Sequence, residues 1–481
     1  MPTAVVIGSG PNGLSAAIAL AEAGLDVTVH EEQETIGGGA RSLELTLPGF
    51  VHDVCSAIHP MGEHSPFLRT LDLPIEWVHP PTQVAHPLDD APAVLLEQDV
   101  DATAEGLGRD AHAYRELLSP LVEEWDAVEP VLLGPLPPSP RALARLARAL
   151  GLRRAQKTAR IALADARAVA EEHFETERAR ALFAGNASHS MLPLERRPSA
   201  GFALALMTLG HVFGWGFPRS GAQRISDALA EHARGLGVEI VAGSLVDELP
   251  GADVVMADVS PRELLRLARG RFPERYERAL RRYRYGVGAF KIDWALDAPV
   301  PWRDERVGQA GTVHLGGTLD EISASEWAAW SGRHADRPFV LFAQHTRFDP
   351  TRAPEGKHTA WAYCHLPNGS STPMLDRIEA QVERFAPGFR ELILERSALG
   401  PAGLEAKNRN LVGGDLNVGA MDLGQLFTRP ARKLVPYRTP LPGVYLCSAA
   451  TPPGGGVHGM CGWSAARFAL ADLGRRLVQR T

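Results

Sequence analysis

The sequence predicts a discontinuous α/β fold, a doubly wound domain divided by an inserted α+β domain, and three observations predict it. Ala4 to Ile7 is a short apolar run of strand type that enters Gly8-Ser9-Gly10-Pro11-Asn12-Gly13 and then an alanine-rich helical stretch to Ala23. Near the other end of the chain, Gly443 to Ser448 (GVYLCS) is a second apolar strand, which enters another glycine-rich turn and another alanine-rich helix. Between these two units lie helical and alternating segments that belong to neither.

The first turn has the spacing G-x-G-x-x-G. Gly8 permits the tight bend, Gly10 lets backbone approach a pyrophosphate, and Gly13 lets helix pack closely on strand. Phosphates then sit at a helix N-terminus, where free N–H groups and the helix dipole favour negative charge. A second strand, Asp26 to His30, follows Gly24 and ends at Glu31, with Glu32 beside it. An acid at that spacing accepts hydrogen bonds from ribose hydroxyls and favours an unphosphorylated ribose. This unit predicts dinucleotide binding and leaves NAD and FAD open.

A second cluster, Gly37-Gly38-Gly39-Ala40-Arg41-Ser42, stands a few residues after the acid, where Arg41 can pair with phosphate. The cluster resembles the GG doublet of the FAD-dependent amine oxidase and phytoene desaturase superfamily. The tail Gly413 to Leu470, Trp215-Gly216-Phe217-Pro218-Arg219, Phe290 to Leu296 and His314 to Thr318 look like the phytoene desaturase-like subgroup. The likeness runs from Thr3 to Leu470. It implies a glutathione-reductase-like FAD-binding Rossmann domain with an inserted α+β substrate domain, a mixed sheet plus a helical region. It also implies FAD held without a covalent bond by Gly8, Gly10, Pro11, Asn12, Gly13, Glu31, Glu32, Gly38, Gly39, Ala40, Arg41 and Ser42. Val246 is expected to meet adenine through its backbone. At the C-terminal turn, Pro453, Gly455, Gly456, Val457 and Gly459 are expected on the flavin side, where N–H groups suit charge developing on the pyrimidine edge. One departure is Pro452, where members of the subgroup often carry histidine, so no catalytic histidine is carried over to that position.

With 481 residues and 45% apolar content the chain can bury a large core in more than one domain. Its formal charge of −7 gives no basic balance for a nucleic-acid partner. The first strand begins so close to Met1 that no presequence is expected, and a cytoplasmic enzyme is the default. Cys55, Cys364, Cys447 and Cys461 make no C-x-x-C pair, which argues against a dithiol flavoenzyme and against a zinc site. Cys461 is expected to be a packing residue rather than a flavin attachment point.

The expected division is residues 1–90, 215–262 and 410–481 for the FAD-binding domain and 91–214 with 263–409 for the substrate domain. Residues 100 to 200 are mostly of helical pattern, broken by proline clusters at Pro135 to Pro140 and Pro193 to Pro198. Ser220 to Gly235 has helical periodicity, Gly237 to Val246 alternates as a strand, and Ala252 to Ser260 is a further strand of the FAD domain. Tyr285 to Leu296, Pro338 to Gln344 and Thr359 to His365 are expected to build a mixed sheet facing the flavin.

Ser199 to Phe217 is almost uncharged and is expected to be a buried helix lining an apolar tunnel rather than a membrane span. His211 within it is expected to be a hydrogen-bonded core residue. Arg141 to Arg160 carries seven basic residues alternating with Leu143, Leu146, Leu150 and Leu152. A solvated helix face is the first expectation, and peripheral contact with an anionic membrane the second. Lys291, in an alternating strand, is expected to point to solvent; its functional alternative is to hold a water or an anionic group near the flavin. Candidates for a general base are His458, first by proximity to the flavin-side turn, then Lys291, Asp415 and Asn417.

The expected chemistry is hydride transfer from a substrate carbon to flavin. Only one dinucleotide fingerprint is present, so oxygen or a quinone is the expected electron acceptor. Three functions fit this reading: a dehydrogenase or desaturase of an apolar, isoprenoid-like small molecule, an oxidase of amines or amino-acid derivatives, and a flavin-binding scaffold without turnover.

Overall fold

A computed structural model describes residues 1–134 and 137–480, the side chains of 476–480 excepted. Pro135, which opens the first proline cluster, and Leu136 lie outside the described residues. The doubly wound domain is a five-stranded parallel sheet in the order Val444–Leu446, Val254–Ala257, Thr3–Ile7, Asp26–His30, Glu239–Val241. Its central strand is apolar on both faces. Ala4 and Val6 pack under the helices Pro11–Glu22, Gln223–Gly235 and Met460–Arg480, while Ile7 packs on the opposite side with Val255, Ala257 and Leu264. Pro11 at the first helical position presets the backbone angle and lacks an N–H that would have no partner there.

The two ends of the chain meet at this sheet. The helices Pro11–Glu22 and Met460–Arg480 cross so closely that a Cβ on Gly462 would run into the Asn12 carbonyl.

The second domain is a seven-stranded mixed sheet. Its order is Ile393–Leu399, Gly288–Leu296, His358–Leu366, Val340–Ala343, Ala310–Leu315, Thr82–His86, Val94–Glu97. Every pairing is antiparallel except that of Thr82–His86 with Ala310–Leu315. Strand alternation gives this sheet two different faces. Ile292, Val313, Phe342 and Ala362 face a core closed by the helix Leu375–Phe385. On the other face, register aligns Thr312, Ala343, Trp361 and Asp293 in one row and His314, Leu341, Tyr363 and Lys291 in the next. Under that face lie the helices of the 100–212 region, with Phe183, Leu204 and Met207 in their core.

Four expectations are corrected. The strand proposed for Gly237 to Val246 is only Glu239–Val241, because it borders a single strand and the following residues turn away along the cavity. The run Tyr285 to Leu296 becomes a strand at Gly288 and is buried throughout, since the sheet is covered on both faces. Arg141 to Arg160 is two helices, Pro140–Leu150 and Leu152–Ala162, broken at Gly151. The chain enters the mixed sheet by Thr82–His86, before the boundary placed at residue 90.

Candidate active site

A cavity of about 780 Å³ runs from the first glycine turn, past the second, to the helical region. Its nucleotide end is walled by backbone. A Cβ on Gly38, whose φ is +55°, would stand 3.0 Å from Gly10 Cα, and a Cβ on Gly10 would stand 2.9 Å from Asp258 Oδ2. The two glycine clusters therefore lie face to face, an approach that only residues without a side chain allow.

Charge at this end is held in place. Glu31 accepts hydrogen bonds from Ser9 N–H at 2.9 Å, Ser9 Oγ–H at 2.6 Å and Gln33 N–H at 3.0 Å. Arg41 is buried and donates to the carbonyls of Gly38 at 2.9 Å and Lys407 at 2.7 Å, so it braces the second cluster from behind. Asp258, at the end of the Val254–Ala257 strand, accepts Gly13 N–H at 2.9 Å; burial raises its carboxyl to about 7.

Of the residues expected to hold the cofactor, Gly8, Gly10, Pro11, Asn12, Glu31, Glu32, Gly38, Gly39, Ala40, Arg41 and Val246 line the cavity, as do Pro453, Gly455, Gly456 and Val457. Gly13, Ser42 and Gly459 stand behind its wall. Gly13 serves helix packing against Gly8, Ser42 donates to Asp53 at 2.6 Å, and Gly459 leaves room for Ser15. The Val246 carbonyl accepts from Arg266 at 3.0 Å.

The proposed bases fare differently. His458 lines the cavity, but its Nδ1 accepts Met460 N–H at 3.0 Å, which fixes the ring proton on Nε2 and makes the group a helix cap and a donor. Burial lowers its pKa to about 4. Lys291 does not point to solvent: it is 2% exposed and ion-paired with Asp293, on the sheet face that turns toward the helices. Nor does it line the cavity. Asp415 accepts three backbone N–H groups, from Gly286, Asn417 and Gly419, and organises its loop. Asn417 lines the cavity, and its buried Nδ2 has no partner. All four cysteines are free; Cys461 is turned from the cavity, with its thiol toward the Thr451 and Gly454 carbonyls.

Beyond the second cluster the wall becomes side chains. Thr312, Leu341, Ala343, Trp361 and Tyr363 of the mixed sheet form a roof, and the helix Ser199–Val212 forms the floor with Phe202, Leu204, Ala205 and Leu209. This is the apolar tunnel helix the sequence predicts. His211 on it is a core residue, hydrogen-bonded to Tyr114 Oη at 2.6 Å and the Gln98 carbonyl at 3.0 Å. Cavity-lining carboxylates among the described residues, Glu31, Glu32, Asp258 and Glu263, all belong to the nucleotide end.

Sequence reasoning missed Asp258, His189, Thr312, Trp361 and Tyr363. Asp258 carried a signal, an acid closing an apolar strand; the others come from segments that only the fold brings together.

Residues 6–72 match the NAD(P)-binding Rossmann-like domain family. Over 549 aligned positions the chain is 28% identical to pyridine nucleotide-disulfide oxidoreductase domain-containing protein 2 of Rattus norvegicus, covering 98% of this chain and 93% of that protein. It is 27% identical to phytoene dehydrogenase of Streptomyces griseus, covering 82% of each. The chain is thus similar in sequence, over most of its length, to oxidoreductases that include a phytoene dehydrogenase. A structure of putrescine oxidase bound to putrescine has the same fold, with a TM-score of 0.62 at 16% identity, covering 99% of both chains. The resemblance read from the two glycine clusters thus holds.

Proposed function

We propose that this oxidoreductase binds FAD without a covalent bond and removes two hydrogens from an apolar small molecule, one as hydride and one as a proton. The observation that carries this reading is the single cavity that joins a backbone-walled nucleotide end to a side-chain-walled apolar limb. The residues fit the cofactor: Gly10 and Gly38 leave a cradle that any Cβ would fill, and Asn12 Oδ1 and Asn417 Nδ2 are buried polar atoms without partners at that end. The N-terminus of Pro11–Glu22 suits a pyrophosphate and Glu31 a ribose. When bound, FAD supplies the hydride acceptor, with oxygen or a quinone restoring it. The protein's part is to hold the reacting carbon close and to keep water out with the apolar walls.

A second reading, an amine oxidase, draws on the edge-to-face pair Trp361 and Tyr363, whose rings can face a cation. Among the described residues the apolar limb presents no carboxylate to an alkylammonium, which favours the first reading. An apolar substrate also suits access from a lipid surface, since the limb reaches Leu143 and Leu146 of Pro140–Leu150 and Leu163 beyond Leu152–Ala162.

Anaerobic bleaching of the flavin by a panel of polyprenoids, fatty derivatives and amines tests the proposal. Bleaching by apolar compounds is expected, and Ala205→Trp, which narrows the limb, should abolish it while flavin content stays unchanged. Peroxide release with small amines alone favours the second reading, and a flavin that stays oxidised with every compound leaves a binding scaffold. A purified protein that is colourless and takes up no FAD on reconstitution defeats both enzymatic readings.

A further inference from the structure

The roof of the apolar limb is less apolar than its floor. His189, which follows the helix Glu177–Ala187, lines the cavity and sets its ring edge-on to Trp215. Its Nε2 lies 3.0 Å from Nε2 of His314, the residue two places beyond Thr312 on the same face of the sheet.

Proton positions follow from the partners. His86 Nε2 faces the Gly317 carbonyl at 2.7 Å, and a carbonyl only accepts, so His86 carries its proton there. His314 Nδ1 is buried with no partner. A bare nitrogen is the cheaper atom to leave unpaired in an interior than an N–H, so the His314 proton sits on Nε2 and is donated to His189. His189 must then carry its own proton on Nδ1, which has no protein partner. Burial lowers both imidazoles, His189 to about 3, so the pair stays neutral and this arrangement persists at neutral pH.

Gly185 belongs to the same construction. A Cβ there would stand 2.7 Å from His314 Nδ1 and 3.2 Å from His86 Nδ1, so the helix can pass over the two rings only with glycine at that position. Thr312, two places before His314 on the same face of its strand, lines the cavity with a buried hydroxyl that also has no partner. His189 Nδ1 and the Thr312 hydroxyl therefore stand unpaired on this stretch of the wall, as do the buried Trp361 Nε1 and Thr208 hydroxyl elsewhere along the cavity. Buried polar groups are normally satisfied, and a site with such groups discriminates by filling them.

We infer that His189 Nδ1–H and the Thr312 hydroxyl form a subsite for a neutral oxygen, so the substrate is an apolar molecule bearing a carbonyl or hydroxyl rather than a pure hydrocarbon. This rests on the apolar-substrate reading above and narrows it. His314 is a positioning residue, acting through the tautomer it imposes on His189. A carboxylate or an ammonium group is not the fit: no counter-charge among the described residues lines this part of the wall, and the imidazoles are neutral.

Headspace partitioning of 2-octanone and n-octane over the purified holoprotein tests the subsite without relying on turnover. His189→Phe keeps a ring but loses the N–H, and Thr312→Val keeps the shape but loses the hydroxyl. Each is expected to weaken binding of the ketone roughly five- to tenfold, the worth of one net hydrogen bond, and to leave octane binding unchanged. Ketone binding that survives both substitutions, or falls only in parallel with octane, overturns the inference. If His189→Phe does not fold by circular dichroism, Thr312→Val alone decides the outcome. Flavin content measured on the same samples separates this result from the cofactor reading, since a colourless protein defeats that reading whatever the ketone does.

Discussion

The two ends of the cavity are made of different material. At the nucleotide end the wall is largely glycine main chain, with Gly10 against Gly38 and Gly455 against the Asn417 amide oxygen, and its charged groups Glu31, Arg41 and Asp258 are fixed by short hydrogen bonds. In the apolar limb the wall is largely leucine, phenylalanine and tryptophan, contributed by several helices and three strands from separate segments of the chain. A main-chain wall admits one ligand shape, because any side chain fills it, whereas a side-chain wall can be recut by single substitutions without disturbing the fold. This is why dinucleotide binding can be read from glycine spacing and the substrate cannot.

The largest expected effect comes from breaking the joint between the two ends. Buried Arg352 donates to Asp53 at 2.5 Å, Asp349 at 3.1 Å and the Pro218 carbonyl at 3.0 Å. Asp53 also accepts from Ser42 and from Ala222 N–H, which ties the second glycine cluster to the helix Gln223–Gly235 and to the mixed sheet. Burial alone would raise the Asp53 carboxyl, but Arg352, His345 and the hydrogen bonds from Ser42 and Ala222 together outweigh it and hold the group below the usual carboxylate range. Arg352→Met leaves two buried carboxylates without their cation and is expected to cost about 3–5 kcal/mol in chemical denaturation. A loss under about 1 kcal/mol, ordinary for a surface change, would show that the joint is dispensable.

Gly38→Val tests the main-chain wall itself. The new Cβ would meet Gly10 Cα at 3.0 Å from a left-handed backbone. Strain of about 1–2 kcal/mol adds to the closed cradle, and bound flavin should fall at least about tenfold. The ratio of flavin to protein absorbance reads it; an unchanged ratio refutes the idea that main-chain approach defines this end.

How much was legible follows the same division. Strand, glycine turn and helix are local, so both ends of the doubly wound domain could be placed, and the uncharged run at Ser199 announced its buried helix. Lys291 was misread because alternation reports two unlike faces but not whether solvent covers one of them; here the polar face is the roof over the helices, and the lysine is paired with Asp293. The break between the two basic helices was visible as Gly151 but was outweighed by the continuous charge pattern. His189 and Thr312 carried no signal, because one follows a helix, the other sits in a strand, and only tertiary packing joins them.

Asp258 shows how finely the nucleotide end is set. Burial raises its carboxyl to about 7, with the Gly13 hydrogen bond opposing and Glu31 reinforcing the shift. The unfolded value is about 3.9, so between about pH 4 and 7 the folded state holds more protons than the unfolded state, and stability falls as pH rises through that window. Asp258→Asn keeps a carbonyl oxygen for Gly13 N–H but cannot ionise. It is expected to flatten the decline in denaturation midpoint between pH 5 and 7, and a slope equal to wild type would assign the titration elsewhere.

The smallest effect belongs to the rim of the apolar limb. Ser139 Oγ accepts Ala142 N–H at 3.2 Å and starts Pro140–Leu150; Gly151 then turns the chain into Leu152–Ala162. Leu146 and Leu150 turn inward, whereas Leu143 and Leu152 are 47% and 65% exposed among the outward Arg141, Arg145, Arg148, Arg153 and Arg154. Lys157 and Arg160 are paired with Glu116 and Glu172, so the five remaining arginines are the charge on offer to an anionic surface. Each is worth about 1 kcal/mol near such a surface and each partly inserted leucine a few CH₂ groups at about 0.8 kcal/mol apiece. No helix among the described residues is long and apolar enough to cross a membrane, so attachment of this kind is peripheral and salt-sensitive. Leu143→Glu with Leu152→Glu should weaken co-sedimentation with phosphatidylserine vesicles by about tenfold at low salt and leave flavin content intact. A wild-type protein that stays in the supernatant at low salt would mean that substrate reaches the limb from water, and the exposed leucines would then need another partner.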